Sequence, residues 1–303
     1  MPSGPGFGYS GATMSVPTVA VITRTRNRPR YLRRALESVG AQGVESLVHV
    51  VVNDGGAAAE VDAVVQAARH RVQVEHLTAS VGRGAAANVG LRRSQSTLVV
   101  WHDDDDTWHP RFLATALAAW RSAGRRAVVT AAERIVERDE GEHLVEVRRE
   151  PFFPGLRAIS LADVARESCL VNLAFLAERG AVETVGAYDE GLPVYEDWDF
   201  HLRFLSSFDV AFVPEVLARY HHREGAVGDA RNSFEQEASR TADARAVLTN
   251  RWLRRPGPVG LLMALGPTLE GLSAGQQRLD KLFNLLHGAR QKWPLSALEK
   301  WVK

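Results

Sequence analysis

Four consecutive aspartates, Asp103–Asp106, directly follow the apolar run Leu98–Trp101. Carboxylates about 4 Å apart repel one another by roughly 1 kcal/mol even in bulk water, so we expect a cation to compensate for them. Ligation by oxygen suits Mg²⁺ or Mn²⁺, which typically accept one or two carboxylates and complete their shell with phosphate and water. A solvated acidic turn is the alternative interpretation. The position directly after an apolar strand favours the metal site.

Two further polar segments follow predicted strands. Asp54, in the sequence Asn-Asp-Gly-Gly of Asn53–Gly56, could accept a hydrogen bond from a uracil N3–H or a ribose hydroxyl, although Asp-Gly is also typical of a plain turn. In Gly82–Asn88, backbone N–H groups and Arg83 could reach a diphosphate. A glycine-rich turn that begins a helix is the alternative there.

A third group of polar residues combines carboxylates with aromatic and imidazole rings. Glu196 and Asp197 begin a helical pattern, where acids are favoured by the helix dipole, so capping and catalysis are both open interpretations. Trp198 beside these acids favours a sugar site, because such sites commonly pair carboxylates with flat apolar faces. His222 could complete a manganese shell as a neutral imidazole, or simply lie at the surface or in the core.

The elements that must position these residues alternate along the first 130 residues. Short β-branched runs are separated by amphipathic, helix-length segments, which predicts an α/β fold with a mostly parallel sheet. Ligands bind such sheets beyond the carboxyl ends of the strands, where the strand order reverses. Strands are predicted at Val19–Thr23, Val48–Val52, Val72–His76, Leu98–Trp101 and Ala127–Ala131.

Composition suggests four segments. Residues 1–15 are small and glycine-rich and predict a flexible leader without the features of a secretory signal. Residues 16–131 form the nucleotide-sugar-binding half of one domain, 132–231 the acceptor-binding half, and 232–303 a C-terminal helical extension. The extension, with Trp252, Trp293 and Trp301, could form a homodimer contact, a membrane-surface patch or plain scaffold, and scaffold is the favoured interpretation.

Charge and cysteine content narrow the function classes. The chain has 37 basic and 36 acidic residues, so no overall positive field argues for nucleic acid. Of the basic residues 33 are arginines, a bias that we attribute to GC-rich coding and that lowers the weight of any single arginine. Cys169 is the only cysteine, which excludes an intramolecular disulfide. With no apolar run of about 18–20 residues, we expect a cytoplasmic protein, at most peripheral at a membrane.

Together these motifs resemble family 2 glycosyltransferases, from Val16 to Gly225. The resemblance implies a GT-A fold, in which a Rossmann-like sheet is flanked by helices, and an inverting, non-processive transfer. Ile22–Pro29 is similar to the opening strand and loop of that family, which implies nucleotide contacts from Thr23, Arg24 and Arg26. Leu248 stands where processive members carry the Gln of a Gln-x-x-Arg-Trp motif, so a single transfer is favoured.

The resemblance also implies roles for the acidic motifs. It assigns the metal and diphosphate to Asp105, and ribose or metal-bound water to Asp103. The neighbouring Asp104 is expected to contact the nucleotide. The resemblance assigns the nucleoside to Asp54, and Asp197 becomes the general base with Glu196 beside it. The remaining expected contacts, which come from the residues themselves, are Arg83 and Asn88 at the nucleotide, His222 at the metal, and Trp108 and Trp198 at the acceptor.

The expected activity is transfer of a hexosyl or N-acetylhexosaminyl group from a nucleoside diphosphate sugar to a hydroxyl or amine of a glycan, lipid or natural product. UDP is favoured over TDP and GDP, since a carboxylate can pair with the uracil N3–H. A sugar nucleotidyltransferase and a non-catalytic sugar-nucleotide-binding protein remain alternatives. The former usually has a glycine-rich phosphate loop after the first strand, where this chain has Thr23–Arg28. A dinucleotide oxidoreductase is disfavoured because its Gly-x-Gly-x-x-Gly motif is missing there.

Overall fold

Strands and helices alternate through the first half of the chain. The computed structural model describes residues 18–141, 143–226, 228, 238–265 and 281. The first strands are β1 (Val19–Thr25), β2 (Leu47–Asn53), β3 (Val72–His76), β4 (Leu98–Asp103) and the short β5 (Thr107–Trp108). The helices among them are α1 (Pro29–Gly40), α2 (Ala58–Gln66), α3 (Arg83–Arg93) and α4 (Phe112–Ala123).

The second half is more irregular and completes the sheet. Its strands are β6 (Ala127–Asp139), β7 (Leu144–Pro151), β8 (Phe175–Glu178) and β9 (Ala211–Glu224). Its helices are α5 (Leu161–Arg166), α6 (Arg179–Val185), α7 (Glu196–Leu205) and α8 (Ala238–Leu253), with a 3₁₀ turn at Asn172–Ala174.

The order of the strands determines where a ligand can bind. The sheet runs β3-β2-β1-β4-β8-β6-β9-β5, and β1 is flanked by two parallel neighbours, β2 and β4. The chain moves outward from β1 to β3 and then returns across β1 to β4, so the strand order reverses between β1 and β4. Arg24 and Asp103 lie opposite each other in register at the carboxyl ends of these two strands. The fold is thus of the predicted α/β class. The carboxyl ends of β1 and β4 form the edge at which a sheet of this kind is expected to bind its ligand.

One glycine allows α3 to pack closely on the sheet. A Cβ atom added to Gly90 would lie 2.4 Å from Cγ2 of Ile22 in β1. No side chain fits there without moving the helix away from the strand. Gly90 therefore fixes the position of the N-terminal end of α3, which points toward the carboxyl edge of the sheet.

The charge-rich stretch after residue 132 forms a long hairpin that the sequence pattern did not predict. β6 extends to Asp139 and pairs with β7, and the expected boundary between residues 131 and 132 falls inside β6. Exposed cross-strand ion pairs hold the hairpin, including Arg134–Glu150 at 3.2 Å and Arg149–Glu133 at 3.3 Å. Because these faces carry charges instead of alternating apolar residues, the hydrophobic period of a strand is weak there.

The first part of the C-terminal extension is helical and packs against α7. Nε1 of Trp252 donates to Asp199 Oδ1 at 3.1 Å, and a second helical stretch covers residues 259–265. The predicted break at Pro256–Pro258 separates the two. The expected last segment from Gln276, with Trp293 and Trp301, lies outside the described residues apart from residue 281. Within the described part of the chain, no helix has both the length and the hydropathy needed to cross a bilayer.

Candidate active site

A cavity of about 530 Å³ opens at the carboxyl ends of β1 and β4. This volume lies within the range of small-molecule sites, roughly 300–1,000 Å³. Four arginines and four aspartates line it, together with a loop before α3 and a segment before α7. The charged residues in its wall are Arg24, Arg26, Arg28, Arg83, Asp54, Asp103, Asp104, Asp105 and Glu190.

Arg24 connects the acidic run to the start of α7. Its Nε donates to Asp103 Oδ1 and its Nη1 to Glu196 Oε1, both at 2.8 Å. Glu196 is fully buried, and its second oxygen has no hydrogen-bond partner among the described residues. Burial alone would lower the pKa of Arg24, but the charges of Asp103 and Glu196 raise it well above its usual value. Arg24 thus stays charged and joins two acidic segments that are far apart in sequence.

The carboxylates of the acidic run differ in protonation. Burial raises the pKa of Asp103, yet Arg24 and then Arg83 outweigh it and the pKa falls below its usual value. Burial, only partly offset by Arg28, raises the pKa of Asp104 to about 6. Asp104 is also held by the Thr25 hydroxyl, which donates to its Oδ2 at 2.6 Å. Asp103 is therefore an anion at neutral pH, whereas Asp104, with a pKa of about 6, titrates close to neutral pH.

Asp105 is held by arginines on several sides. Its Oδ2 accepts from Arg223 Nη2 at 2.6 Å and from Arg28 Nη1 at 3.2 Å, and its carbonyl oxygen accepts from Arg34 Nη2 at 2.6 Å. Arg223 is fully buried, with its guanidinium 4.4 Å from the centre of the Tyr31 ring. Burial favours a neutral Asp105, but Arg223 and Arg28 outweigh it and lower the pKa far below its usual value. Asp105 is ionised at any physiological pH.

The donor set fits a divalent cation that takes only part of its shell from the protein. In the hydrogen bonds above, Asp103 uses Oδ1 and Asp105 uses Oδ2, which leaves one oxygen of each carboxylate for a ligand in the cavity. Within the described ranges, no cluster of three or more His, Cys, Asp or Glu side chains is arranged to hold a metal. A cation here would need phosphate and water to complete its shell, as Mg²⁺ commonly does.

Asp54 lines the cavity and also holds the loop before α3. Its Oδ1 accepts from Val81 N at 2.6 Å, and its Oδ2 accepts from the Ser80 hydroxyl at 2.8 Å and from Gly82 N at 3.2 Å. An ionised carboxylate offers about four lone-pair positions, so one remains for a ligand. Gly55 permits this contact, because a Cβ there would lie 2.4 Å from Ser80 N and its φ is +74°.

Two arginines of the wall remain accessible from the cavity. Arg26 is exposed and forms no ion pair with any residue that the structure describes. Arg83, the first residue of α3, has its Nε 3.4 Å from Glu196 Oε1 and keeps about a third of its side chain exposed. The N-terminus of α3 adds the positive end of a helix dipole. An anionic group in the cavity would meet both guanidinium groups.

The three acids at the start of α7 have different surroundings. Glu196 is paired with Arg24, and Asp199 is paired with Arg203 at 2.7 Å and accepts from Trp252. Asp197 has no ion pair with the described residues, and its Oδ1 accepts only from the N–H of Trp198 at 2.7 Å. Burial, and next the charge of Glu196, raise the pKa of Asp197 to about 6. Asp197 therefore has the proton affinity of a general base working near neutral pH.

The residue before these acids has an uncommon backbone conformation. Tyr195 has φ +65° and ψ 18°, the left-handed region, at the N-terminal boundary of α7. This costs a non-glycine residue roughly 1–2 kcal/mol. Such strain persists where the surroundings enforce it, and here it sets the direction in which Glu196 and Asp197 leave the chain.

The structure places several of the expected contact residues elsewhere. The Thr23 hydroxyl bonds His49 Nε2 at 2.9 Å inside the sheet, so Thr23 is not retained as a nucleotide contact. Asn88 is turned away from the cavity, because its amide donates to Tyr188 O at 2.8 Å and to Glu190 at 3.0 Å. Asn88 therefore fixes the segment before α7 to α3.

The two tryptophans expected at the acceptor are core residues. Nε1 of Trp108 donates to Leu173 O at 2.7 Å, and the Trp108 ring stacks on Phe112. Nε1 of Trp198 donates to Val164 O at 2.6 Å. Each is at most 3% exposed, so neither offers a face to a sugar. His222 lies in β9, opposite Val136, and is not part of the cavity wall, so we do not retain it as a metal ligand.

Other residues at the site were not predicted from the sequence. Arg28 and Arg223 bind Asp105, and Tyr220 forms part of the wall. Arg28 lies in the arginine-rich segment after β1, where its spacing could have indicated a partner for the aspartates, but the high arginine content hid this signal. Arg223 and Tyr220 reach the site through the pairing of β9 with β6 and β5, which no local pattern predicts.

The sequence matches the family model for glycosyl transferase family 2 over residues 20–169. A relative from Rickettsia felis, described as an uncharacterized glycosyltransferase, is 23% identical over 213 residues, which cover 69% of this chain and 35% of that protein. The chain thus spans about a third of the length of this relative.

Solved structures share the fold. The S. aureus TarS 1–349 complex with UDP-GlcNAc superposes with a TM-score of 0.61 at 16% identity, covering 81% of this chain and 69% of that one. The mannosyltransferase PcManGT from Pyrobaculum calidifontis, in complex with GDP-Man and Mn²⁺, gives 0.52 at 16% identity, covering 84% and 80%. The GT-A type of α/β fold expected from the sequence is confirmed. On the sequence match, residues 20–169 of this chain belong to glycosyl transferase family 2.

Proposed function

We propose that this chain transfers a sugar from a nucleoside diphosphate sugar to an acceptor hydroxyl or amine, with inversion at the anomeric carbon. The observation that carries this proposal is that one cavity joins three functions. Asp54 and its loop suit a nucleoside, Arg26 and Arg83 suit a diphosphate, and Asp103 and Asp105 suit a cation. Both neighbouring structures were solved with nucleotide sugars, UDP-GlcNAc in one and GDP-Man in the other.

In such a displacement, the arginines and the aspartates of the cavity would have different roles. Arg26 and Arg83 would bind the diphosphate and stabilise the charge that develops on it as it leaves. A divalent cation, Mg²⁺ or Mn²⁺, held by Asp105 and Asp103, would supply further Lewis-acid stabilisation of that leaving group. Asp105 is suited to this role because its pKa is lowered and one of its oxygens remains available.

Asp197 would take the acceptor proton. A single in-line displacement needs a base on the face of the sugar opposite to the leaving group. A carboxylate with a pKa of about 6 is mostly ionised at pH 7 and can still accept a proton from the acceptor. Glu196 is a poorer candidate, because Arg24 donates to its Oε1 and its side chain is fully buried. Glu196 instead positions the start of α7 against Arg24.

UDP is the favoured nucleotide. Asp54 uses three of its lone-pair positions on the loop at residues 80–82, and the remaining one could accept the uracil N3–H. Thymine offers the same group, so TDP is an alternative. Tighter binding of GDP than of UDP or TDP would contradict this assignment.

Product analysis tests the proposed activity. The protein is incubated with a panel of sugar nucleotides and a cell extract, and mass spectrometry follows new glycosides while a coupled assay follows nucleoside diphosphate. We expect release of nucleoside diphosphate that depends on acceptor, and its loss by about 10²–10⁴-fold in Asp197→Asn. With pyrophosphate added, formation of nucleoside triphosphate and sugar 1-phosphate would indicate a nucleotidyltransferase, and binding without turnover would indicate a non-catalytic module.

A further inference from the structure

A second cavity, of about 250 Å³, has Phe152 in its wall, and the Phe152 ring contacts Tyr220 of the first cavity. The second cavity is enclosed by β6, β9, the segment that follows β7 and the segment before the 3₁₀ turn. Unlike the first cavity, its wall contains no charged residue. The larger side chains in its wall are Phe152, Phe153, Leu156, Leu170, Val171 and Phe212.

The two cavities share a wall made of two rings. Tyr220 lines the first cavity and Phe152 lines the second, and their ring centres are 5.7 Å apart in an edge-to-face contact. Phe152 is also held by its backbone N–H, which donates to Ala132 O at 2.9 Å, and by Arg134, whose guanidinium lies 5.7 Å from the ring centre. The walls of the two cavities therefore meet at this pair of rings.

The chemistry of the second cavity limits what it can bind. A charged group would lose its water without finding an opposite charge in this wall, which is costly. Burial raises the pKa of the Cys169 thiol to about 12, so this cysteine acts as an apolar wall and not as a nucleophile at neutral pH. For comparison, an apolar cavity of about 150 Å³ is large enough for benzene. The volume here suits one aromatic ring or a small fused ring system.

We propose that this cavity binds an apolar ring carried by the acceptor, so that the preferred acceptors are small molecules or glycosides with an aromatic group next to the accepting sugar or hydroxyl. This inference rests on the proposed transferase function. It names the acceptor class, which the charged cavity alone does not. The Tyr220–Phe152 wall would place the ring in the second cavity and direct the polar part of the acceptor toward the donor.

Val216 offers a way to change the cavity without disturbing the core. It lines the cavity, yet the residue is 44% exposed, so Val216→Asp should fold. The charge at the rim would oppose entry of an apolar ring. Val147→Asp is the matched control, because Val147 lies on β7 outside both cavities and is 42% exposed. Val216→Trp, which narrows the cavity without adding charge, is a second test.

Binding measurements test the inference directly. Saturation-transfer NMR with indole should detect binding to wild-type protein and to Val147→Asp, and not to Val216→Asp or Val216→Trp. With UDP and Mn²⁺ present, 4-nitrophenyl β-glucoside should bind at least about tenfold more tightly than methyl β-glucoside, and this preference should vanish in the Val216 variants. Absence of indole binding to wild type, equal affinity for the two glucosides, or a preference that survives both Val216 substitutions would overturn the inference.

The affinity for UDP separates this inference from the proposed function. The affinity for UDP should be the same in wild type and in all three variants, because neither Val147 nor Val216 lines the first cavity. If wild-type protein bound indole but no nucleoside diphosphate, the proposed function would fail and the assignment of the cavity to an acceptor would fail with it. If UDP bound normally and neither indole nor 4-nitrophenyl β-glucoside bound, only the assignment of the second cavity to an aromatic acceptor would fail.

Discussion

Arg24 should be among the side chains on which the fold around the site depends most, and Arg24→Met is the perturbation that shows it. The substitution keeps a long apolar side chain but removes the cation that donates to Asp103 and Glu196 at 2.8 Å. Glu196 is fully buried and would keep only Arg83, whose Nε is 3.4 Å away. Removing one partner of a buried ion pair typically costs about 3–5 kcal/mol. We therefore expect the free energy of unfolding to fall by that amount.

A double-mutant cycle assigns this loss to the pair. Glu196→Gln removes the buried charge, so Arg24→Met should cost much less in that background. We expect a coupling energy of about 2–3 kcal/mol. Urea denaturation followed by circular dichroism measures all four proteins. Arg24→Lys, which retains a charge but not the two-sided geometry, should be intermediate and provides a measurable protein if Arg24→Met does not fold.

An exposed ion pair serves as the control for this cycle. Arg92 and Glu190 lie 3.6 Å apart with at least half of each side chain exposed, so Arg92→Met should cost less than about 1 kcal/mol. If Arg24→Met cost no more than Arg92→Met, or if its coupling with Glu196 were below about 0.5 kcal/mol, the argument that Arg24 joins the acidic run to α7 would be refuted.

Three further predictions concern Asp197, Asp105 and Gly55. The folded-state pKa of Asp197, about 6, lies above its ordinary value of 3.8, so ionisation of Asp197 destabilises the protein as the pH rises from about 4 to about 6. Asp197→Asn should therefore have the same melting temperature as wild type at pH 4 and a higher one at pH 7.5. The turnover of wild-type protein should rise through about pH 6 and then level off. A lower melting temperature for Asp197→Asn at pH 7.5 would contradict the burial argument. Asp105→Asn should weaken Mn²⁺-dependent binding of UDP at least about tenfold by calorimetry, and unchanged affinity would exclude Asp105 as a ligand. Gly55→Ala should displace the loop held by Asp54 and weaken UDP binding, whereas Gly124→Ala, with a similar positive φ and no neighbour within 4 Å, should show only the backbone cost of roughly 1–2 kcal/mol in urea denaturation.

Sequence reasoning recovered the elements whose patterns are local. β1 to β4 and α1 carry their hydrophobic period in consecutive residues, and the parallel arrangement then places Asp54 and Asp103 at one edge of the sheet. Asp105 was predicted at the site for the same reason, since it comes directly after β4. Asp197 was predicted from the acidic start of α7, and it is not part of the wall of the first cavity. Their roles remain proposals.

The residues that were misplaced depend on contacts distant in sequence. Trp108 and Trp198 stand beside acidic motifs, and nothing local shows that their indole N–H groups bond Leu173 and Val164 and so turn the rings into the core. The prediction for the aspartates was incomplete for the same reason. The sequence predicted that a cation must compensate for them, but the structure shows that arginines, including Arg223 from the far end of the sheet, supply part of that charge.

Isothermal titration of UDP into the protein, with Mn²⁺ and then with a chelator, tests the central claim most directly. The claim is that one cavity holds a nucleoside diphosphate through its arginines and through a cation shared with Asp103 and Asp105. We predict binding at a single site with Mn²⁺, and affinity lowered at least about tenfold when the metal is removed, because adjacent carboxylates and a diphosphate then repel one another. Affinity unchanged by the chelator, or no binding of any nucleoside diphosphate with metal present, would contradict the account.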